Sequence, residues 1–418
     1  MKRMNPRPLY LILSAVMQLA NATMFTTYAV YYVNQVGMNP LQLVLVGTVL
    51  EATILLLEVP TGVVADTYSR RLSVILGIFI LGLIWLIEGS LPLFWAIIAA
   101  EIIRGLGETF LSGALDAWLA DEVGEGEVGA IYLRSGQIGR VMGLIGAGLG
   151  VGLASIALNL PMLIGGGLYL ALGVLLTAAM PEHGFTPAPH GERSPFPAMR
   201  ATLQAGSAVV RRSQTLMLLL VVGIFAGVAS EGFDRLWEAH LLRNFRFPAF
   251  GGFEAVVWFG IISVSSNLVT LVVTEIFRRR LERASRVPTA TARLLLTLNA
   301  LSVLSIIGFG LAGNFALALL ALLAKAIVGS LAAPLYRAWL VQNIDSSVRA
   351  TALSMISLTD ALGQTIGGPG VGALGLRSLR AAIVAAGVLL APQIALYARV
   401  IRGARATTGG ELSTTAAE

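Results

Sequence analysis

Charged side chains stand inside long apolar segments of this sequence, where ionisable groups are costly. One segment carries Glu101, Arg104 and Glu108, whose spacing of three and four residues places them on one face of a helix. On insertion scales, a charge at the centre of a bilayer costs on the order of 2.5–3.5 kcal/mol, so such a residue should face a partner or a cavity. Charges placed in this way can bind a charged ligand, carry protons or join helices as ion pairs.

The second half of the chain carries a comparable set of charges inside apolar segments: Glu231, Asp234, Arg235, Glu238, Lys325 and Asp360. The first four share one helical face near the end of their segment, where a solvated mouth would also explain them. Lys325 needs a countercharge, and the sequence predicts Asp360, which stands on the next segment at comparable depth. For Arg104 the candidates are Glu101 and Glu108, one turn away on the same face.

Carboxyl groups in such surroundings are candidate proton sites. A carboxylate beside a fixed cation stays ionised, whereas a desolvated carboxyl group takes up a proton. The predicted proton sites are Glu108 and Asp360, with Glu101 and Asp234 as further candidates. Arg104 and Lys325 would tune these acids or meet anionic groups of a ligand. The alternative is that the charges form permanent salt bridges that hold the helices together.

The first apolar segment offers a different surface, a polar and aromatic stripe. Its members recur every three or four residues and are Gln18, Asn21, Phe25, Tyr28 and Tyr32. Residues that face lipid should be aliphatic, so this stripe should face protein or a cavity. We predict Asn21, Phe25, Tyr28 and Tyr32 as ligand-binding residues. The alternative is helix packing combined with an interfacial belt of tyrosines.

Twelve long apolar segments must position these residues. The chain is 56% hydrophobic and only 12% charged, whereas about a quarter of a soluble domain is charged. Stretches of about 20 apolar residues can cross a bilayer as helices. The predicted segments are 9–35, 41–65, 72–90, 93–120, 131–156, 160–180, 213–243, 252–277, 289–312, 315–343, 350–374 and 378–402. They predict an all-α membrane protein with twelve transmembrane helices.

Several chemistries are excluded by residue types. The chain has no cysteine, so it forms neither disulfides nor thiolate metal sites. Its histidines are scattered and form no ligand pair, and neither Lys2 nor Lys325 follows a glycine, as a Walker A loop requires. The chain therefore has no ATP site of that type. We expect no metal, no cofactor and no enzymatic activity.

The distribution of Lys and Arg predicts the orientation in the membrane. Most of the 29 such residues fall on the side that holds the N-terminus, and the opposite side receives only Arg243, Arg246, Arg377 and Arg380. Positive residues prefer the cytoplasmic side, so both termini should be cytoplasmic. The predicted organisation is a six-helix bundle over 1–181, a cytoplasmic linker over 182–212, a second six-helix bundle over 213–403 and a disordered tail over 404–418. The placement of Lys and Arg on the cytoplasmic side accounts for the net charge of +6, so no nucleic-acid partner is needed to explain it.

The two halves of the chain resemble each other. "DAWL" at 116–119 matches "RAWL" at 337–340, an offset of 221 that also pairs Arg104 with Lys325. At an offset of 220, "GLIGAGLGVG" (143–152) aligns with "GQTIGGPGVG" (363–372). The alternative is a chance match of small apolar residues, but the matches fall in corresponding segments and in the same order. Two parallel six-helix repeats are typical of transporters that bind their substrate between the repeats.

The turn after the second segment, "GVVADTYSRR" at 62–71, resembles a known motif. Gly62, Asp66, Arg70 and Arg71 match the loop between helices two and three of the major facilitator superfamily, while Thr67 and Ser69 depart from it. The resemblance implies that Asp66 contacts the cytoplasmic end of helix eleven, which begins at Arg349, while the cytoplasmic side is closed. The alternative is that Arg70 and Arg71 only anchor a turn at the cytoplasmic face.

The resemblance also implies that helices one, four, seven and ten line a central cavity. The stripe on helix one, Arg104, Glu108, Asp234 and Lys325 would then meet the substrate. "LEVPTGVVAD" and "RGLGETFLSGALDAWLADE" are similar to segments of bacterial multidrug, tetracycline and macrolide exporters. The expected function is proton-coupled export (antiport) of amphiphilic small molecules by a monomer in the inner, plasma membrane. The alternatives are a proton-coupled importer of a solute or metabolite, and a receptor or scaffold that transports nothing.

Overall fold

The structure is a computed structural model of the 418-residue chain. It describes residues 3–187, 214–248, 254–344, 349–399 and 401. Most of the predicted linker 182–212 and the whole predicted tail 404–418 lie outside the described residues. Within the described ranges nearly every residue is helical and none is in a strand.

Twelve helices correspond to the twelve predicted segments and confirm the predicted fold class. They are α1 (Pro6–Gln35), α2 (Pro40–Thr67), α3 (Arg70–Ser90), α4 (Phe94–Leu111 and Ala114–Val123), α5 (Glu125–Ala154), α6 (Leu160–Ala179), α7 (Gln214–Asn244), α8 (Ala255–Ala284), α9 (Pro288–Leu311), α10 (Phe315–Asn343), α11 (Arg349–Arg377) and α12 (Leu379–Arg399). Among the described residues, nine of these helices are long and apolar enough to cross a membrane by length and composition. α4 is broken at Gly113, whose φ of +39° favours glycine.

Polar caps in the sequence set where the second and third helices begin. Asn39 accepts a hydrogen bond from the Gln42 backbone at 2.9 Å, and the Gln42 side chain accepts one from the Asn39 backbone at 3.0 Å. This capping box satisfies free N–H groups in the first turn of α2. Ser69 caps α3 by accepting from the Leu72 N–H at 2.9 Å. The short turn between the two helices therefore places Arg70 in the first turn of α3.

α1 ends in a π-helical turn, Tyr31–Gln35. Such turns are rare and frequently occur at functional sites. The buried side chains of Tyr31 and Tyr32, at its start, both reach α3, as described below. The turn therefore shapes one end of the candidate site.

The chain divides into two compact units. The first comprises Met1–Ala201 with Phe247–Val264, and the second comprises Thr202–Arg246 with Ser265–Glu418. In the first unit α1 packs on α5, α2 packs on α4, and α3 packs on α4 and α6. In the second unit α7 packs on α11, and α9 packs on α10 and α12.

Glycine permits close packing of one helix pair in each unit. A methyl group added at Gly150 of α5 would lie 2.3 Å from the Thr23 carbonyl oxygen of α1. In the second unit, one added at Gly363 of α11 would lie 2.1 Å from the Ile224 carbonyl oxygen of α7. Small residues allow such close backbone approach where no hydrophobic force drives helices together in lipid. The corresponding helices of the two halves therefore pack by the same device.

Candidate functional site

A buried ion pair lies at the centre of the candidate site in the first unit. Arg104 Nε donates to Glu101 Oε2 at 2.8 Å, one turn away on α4. The side chains are only 5% and 1% exposed, respectively. Of the two partners predicted for Arg104, the structure therefore selects Glu101. Removing one member of a buried pair leaves an uncompensated charge, so these two residues depend on each other.

Two aromatic rings lie beside this ion pair: Trp85 of α3, which sequence reasoning did not single out, and Phe25 of the predicted stripe. The Arg104 guanidinium carbon lies 5.1 Å from the centroid of the Trp85 ring and 6.0 Å from that of Phe25. Edge-to-face contacts at 5.3 Å continue from Phe25 to Tyr28 and from Tyr28 to Tyr32. A guanidinium beside aromatic rings can bind an anionic or polar group while the rings bind an apolar body. Because Phe25 remains 38% exposed, the row of rings is accessible at that end.

Two further predicted residues lie around this row. Asn21 accepts a hydrogen bond from the Tyr169 hydroxyl of α6 at 2.8 Å, so its side chain is held in place. Glu108 is half-buried. Within the part of the chain that the structure describes, Glu108 takes part in none of the ion pairs. Glu101 and Glu108 therefore differ in their surroundings although both stand one turn from Arg104.

Sequence reasoning missed Glu88 of α3. This residue is fully buried, and its Oε2 accepts a hydrogen bond from the Tyr32 hydroxyl at 2.6 Å. The Tyr31 hydroxyl donates to the Glu88 backbone carbonyl at 2.7 Å. Glu88 stands two residues before the end of α3, where an acid resembles an ordinary interfacial residue. The available signal was its position on the helix face of Trp85, one turn earlier.

The second unit contains the counterpart of Arg104. Lys325 Nζ lies 3.3 Å from Asp234 Oδ1 and 4.2 Å from the centroid of the Phe233 ring. The predicted pairing of Lys325 with Asp360 is wrong: Asp360 Oδ2 accepts from the Gln364 amide at 2.9 Å. The physical reason is helix packing, because α11 packs on α7 and α12, and α10 packs on α9. The helix next in sequence is therefore not the main neighbour of Lys325.

The charged residues of α7 differ in how deeply they are buried. Glu231 is 3% exposed and accepts from Arg235 Nε at 3.1 Å, and Glu238 is 5% exposed. Asp234, in contrast, is 58% exposed in its side chain. A solvated mouth therefore does not explain Glu231 and Glu238, which lie inside the second unit.

Two acids that sequence reasoning did not single out, Asp121 and Glu182, bind the motif between α2 and α3. Arg70 forms ion pairs with Asp121 of α4 and, at 3.4 Å, with Asp66. The backbone N–H of Arg71 donates to Glu182 Oε1 at 2.9 Å. The two arginines thus tie the turn to other parts of the first unit.

Two residues of the motif, Asp66 and Gly62, remain accessible to a further contact. The Asp66 side chain is 58% exposed despite its contact with Arg70. A methyl group added at Gly62 would meet no atom within 4 Å. Both residues therefore present surface to a further contact.

Known proteins share this architecture. The crystal structure of the nucleoside transporter NupG superposes with a TM-score of 0.74 at 14% sequence identity, covering 94% of this chain and 99% of that one. A POT family transporter in complex with 5-aminolevulinic acid superposes with a TM-score of 0.69 at 16% identity, covering 94% and 95% of the two chains. At these identities the likeness concerns the fold alone.

Sequence comparison identifies the family. The chain is 25% identical over 225 residues to "Uncharacterized MFS-type transporter YxaM" of Bacillus subtilis (strain 168). That match spans 52% of this chain and only 56% of the relative's length. The sequence model of the Major Facilitator Superfamily matches residues 11–298, which is more than half of the chain. The chain therefore belongs to the Major Facilitator Superfamily, a family of multi-pass membrane transporters and not of enzymes.

Proposed function

We propose that the protein exports amphiphilic small molecules in exchange for protons and works by alternating access. One observation carries the proposal: the buried Arg104–Glu101 pair lies against the rings of Trp85 and Phe25. This arrangement offers an apolar aromatic surface beside a fixed cation. Pockets that combine a few placed polar groups with aromatic walls suit ligands that have an apolar body and a polar group.

Proton coupling is proposed to use Glu108 and Asp360. Glu101 and Asp234 each have a cation as ion-pair partner. Asp360 accepts instead from a neutral amide, and Glu108 takes part in none of the ion pairs among the described residues. A carboxyl group without a fixed countercharge can gain or lose a proton when its solvation changes. Arg104 and Lys325 would tune these acids or bind an anionic group of the substrate.

The proposed gate is the motif at the end of α2. Asp66 would contact the start of α11 while the cytoplasmic side is closed, because a carboxylate at a helix N-terminus is stabilised by the helix dipole. Its exposed side chain leaves it available for that contact. The proposed orientation places both termini in the cytoplasm and the chain in the inner membrane, with the bundles 1–181 and 213–403 as the two moving halves.

The second candidate function is import of a solute or metabolite. It is favoured by the solved relatives, which are described as a nucleoside transporter and a POT family transporter. The same buried charges and aromatic rows would serve an importer. Direction therefore has to be decided by measuring transport.

An accumulation assay in pump-deficient cells tests both candidates. Fluorescent amphiphilic dyes, a tetracycline and a macrolide are supplied to cells with and without the protein. Export predicts that the protein lowers accumulation several-fold and that a protonophore removes this effect. Cells that carry Arg104→Lys, which is expected to fold, serve as the transport-deficient comparison. Uptake that rises under an inward proton gradient would instead establish import, and no difference for any compound would reject the proposed substrate class.

A further inference from the structure

Glu88 of α3 is a buried acid that the proposed coupling residues do not include. No part of it is exposed, and one carboxyl oxygen accepts from Tyr32 at 2.6 Å. The other oxygen, Oε1, has no hydrogen-bond partner among the described residues. Burial without full hydrogen bonding is expensive for an ionised carboxylate and much cheaper for a neutral one.

The charges around Glu88 do not balance if it is ionised. The groups that face it are Tyr31 and Tyr32 from α1 and Glu101 and Arg104 from α4. Asn159, which immediately precedes α6, donates to the neighbouring Gly89 carbonyl and carries no charge. Arg104 is the one cation in this set and it already binds Glu101. Two carboxylates and one guanidinium leave a net negative charge in a buried site, whereas one bound proton makes the site neutral.

The location of Glu88 connects the end of the helix bundle with the substrate site. Glu88 stands two residues before the end of α3, and the proposed orientation places that end on the outside. It lies within electrostatic range of Glu101 and Arg104, which are deeper in the unit. A ligand anion that binds Arg104 would weaken the ion pair between Arg104 and Glu101. It would thereby change how readily Glu88 and Glu101 bind a proton. The π-helical turn of α1 holds Tyr32 against the carboxyl group, so movement of α1 would act on the same proton.

We propose that Glu88 holds the transported proton on the outer side of the first unit, with Tyr32 as its hydrogen-bond donor. The inference rests on the proposed proton-coupled function and adds an entry site to it. The proton leaves Glu88 as its carboxylate forms and passes to solvent or to a deeper acid, without any change in covalent bonds between heavy atoms.

Infrared difference spectroscopy of the purified protein in lipid nanodiscs tests the protonated state independently of transport. The wild type should show the C=O band of a neutral buried carboxyl group, and Glu88→Gln should lose it. Tyr32→Phe should keep the band but shift it to higher wavenumber, because a hydrogen bond to the carboxyl group is lost. Tyr31→Phe is the matched control and should leave the band in place, since Tyr31 donates to the backbone. A spectrum unchanged by Glu88→Gln would overturn the inference.

Transport in proteoliposomes tests the coupling role. Glu88→Gln should lose accumulation driven by a proton gradient, at least tenfold, while exchange of labelled for unlabelled substrate remains. If Glu88→Gln yields no folded protein, the same comparison is made with Tyr32→Phe, which should reduce gradient-driven accumulation more than exchange. Full gradient-driven accumulation in these variants would overturn the role of Glu88 and leave the proposed function intact. A wild type that ignores the gradient would overturn proton coupling itself.

Discussion

Lys325 of α10 forms an ion pair with Asp234 of α7, with Nζ 3.3 Å from Oδ1. The two residues are 91 positions apart in the chain. Their side chains are 32% and 58% exposed, so either can exchange its partner for another charged group. The Lys325 ammonium also lies 4.2 Å from the centroid of the Phe233 ring, which keeps a cation beside an aromatic surface, as in the first unit.

Breaking this pair should affect transport more than stability. We expect Lys325→Gln and Asp234→Asn each to lower substrate exchange at least tenfold. The free energy of unfolding should change by less than about 1 kcal/mol, because partly exposed pairs contribute little. Exchange in proteoliposomes and thermal melting in detergent measure the two effects. The matched control is Arg278→Gln, which breaks exposed pairs with Glu275 and Glu282 and should leave exchange unchanged. Normal exchange in both variants of the pair would contradict its role.

Arg104→Gln should be strongly destabilising. It removes one member of a buried ion pair, and such a change costs about 3–5 kcal/mol. The double variant Glu101→Gln/Arg104→Gln should recover much of that loss, because neither charge remains. Arg104→Lys should fold, yet lose transport, since a lysine ammonium lacks the flat guanidinium face that lies against Trp85. Melting temperatures and substrate exchange separate these effects. An Arg104→Lys variant with wild-type exchange would show that the residue only stabilises the fold.

Glu108→Gln and Asp360→Asn should uncouple transport from the proton gradient. Neutralising a carrier acid removes the titrating group, so net accumulation should fall at least tenfold while substrate exchange continues. Both quantities are measured in proteoliposomes with and without an imposed gradient. If both variants retain normal gradient-driven accumulation, these acids are not the couplers. If exchange and folded yield fall together, the residue has a structural role instead.

Asp66→Asn should shift the protein toward inward-open states. The contact proposed between Asp66 and the start of α11 exists only when the cytoplasmic side is closed. Spin labels at the cytoplasmic ends of α2 and α11 should report longer distances, and transport should fall sharply. Asp121→Asn is the control, because it removes the ion pair of Arg70 with α4 and should lower stability without lengthening those distances. Unchanged distances together with full transport would reject the gating role of Asp66, whose contact with Arg70 would then be structural only.

The orientation prediction can be tested with single cysteines, since the native chain has none. A cysteine at Ser155, at the end of α5, should react with an impermeant thiol reagent in intact cells. A cysteine at Ser194, in the predicted cytoplasmic linker, should react only after the cells are opened. The reverse pattern would invert the topology.

The sequence alone determined the number of helices and their approximate positions, although α5 begins at Glu125 rather than 131 and α8 ends at Ala284 rather than 277. Runs of about 20 apolar residues cannot leave their backbone groups unpaired in lipid, so they must become helices. Asn39 and Ser69 cap α2 and α3 for another local reason, because their side chains accept hydrogen bonds from free N–H groups of the first turn. The ion pair of Arg104 with Glu101 was also predictable as one of two choices, because residues one turn apart on a helix are neighbours.

Only the tertiary structure decided which charges meet across helices. Lys325 pairs with Asp234 of α7 and not with Asp360, because α11, the helix that carries Asp360, packs mainly on α7 and α12 rather than on α10. Glu88 likewise looked like an interfacial acid, and it is buried because Tyr31 and Tyr32 of another helix reach it. Hydropathy and spacing report which residues share a face of one helix. The partner of that face depends on how helices distant in sequence pack together, and no local pattern contains that information.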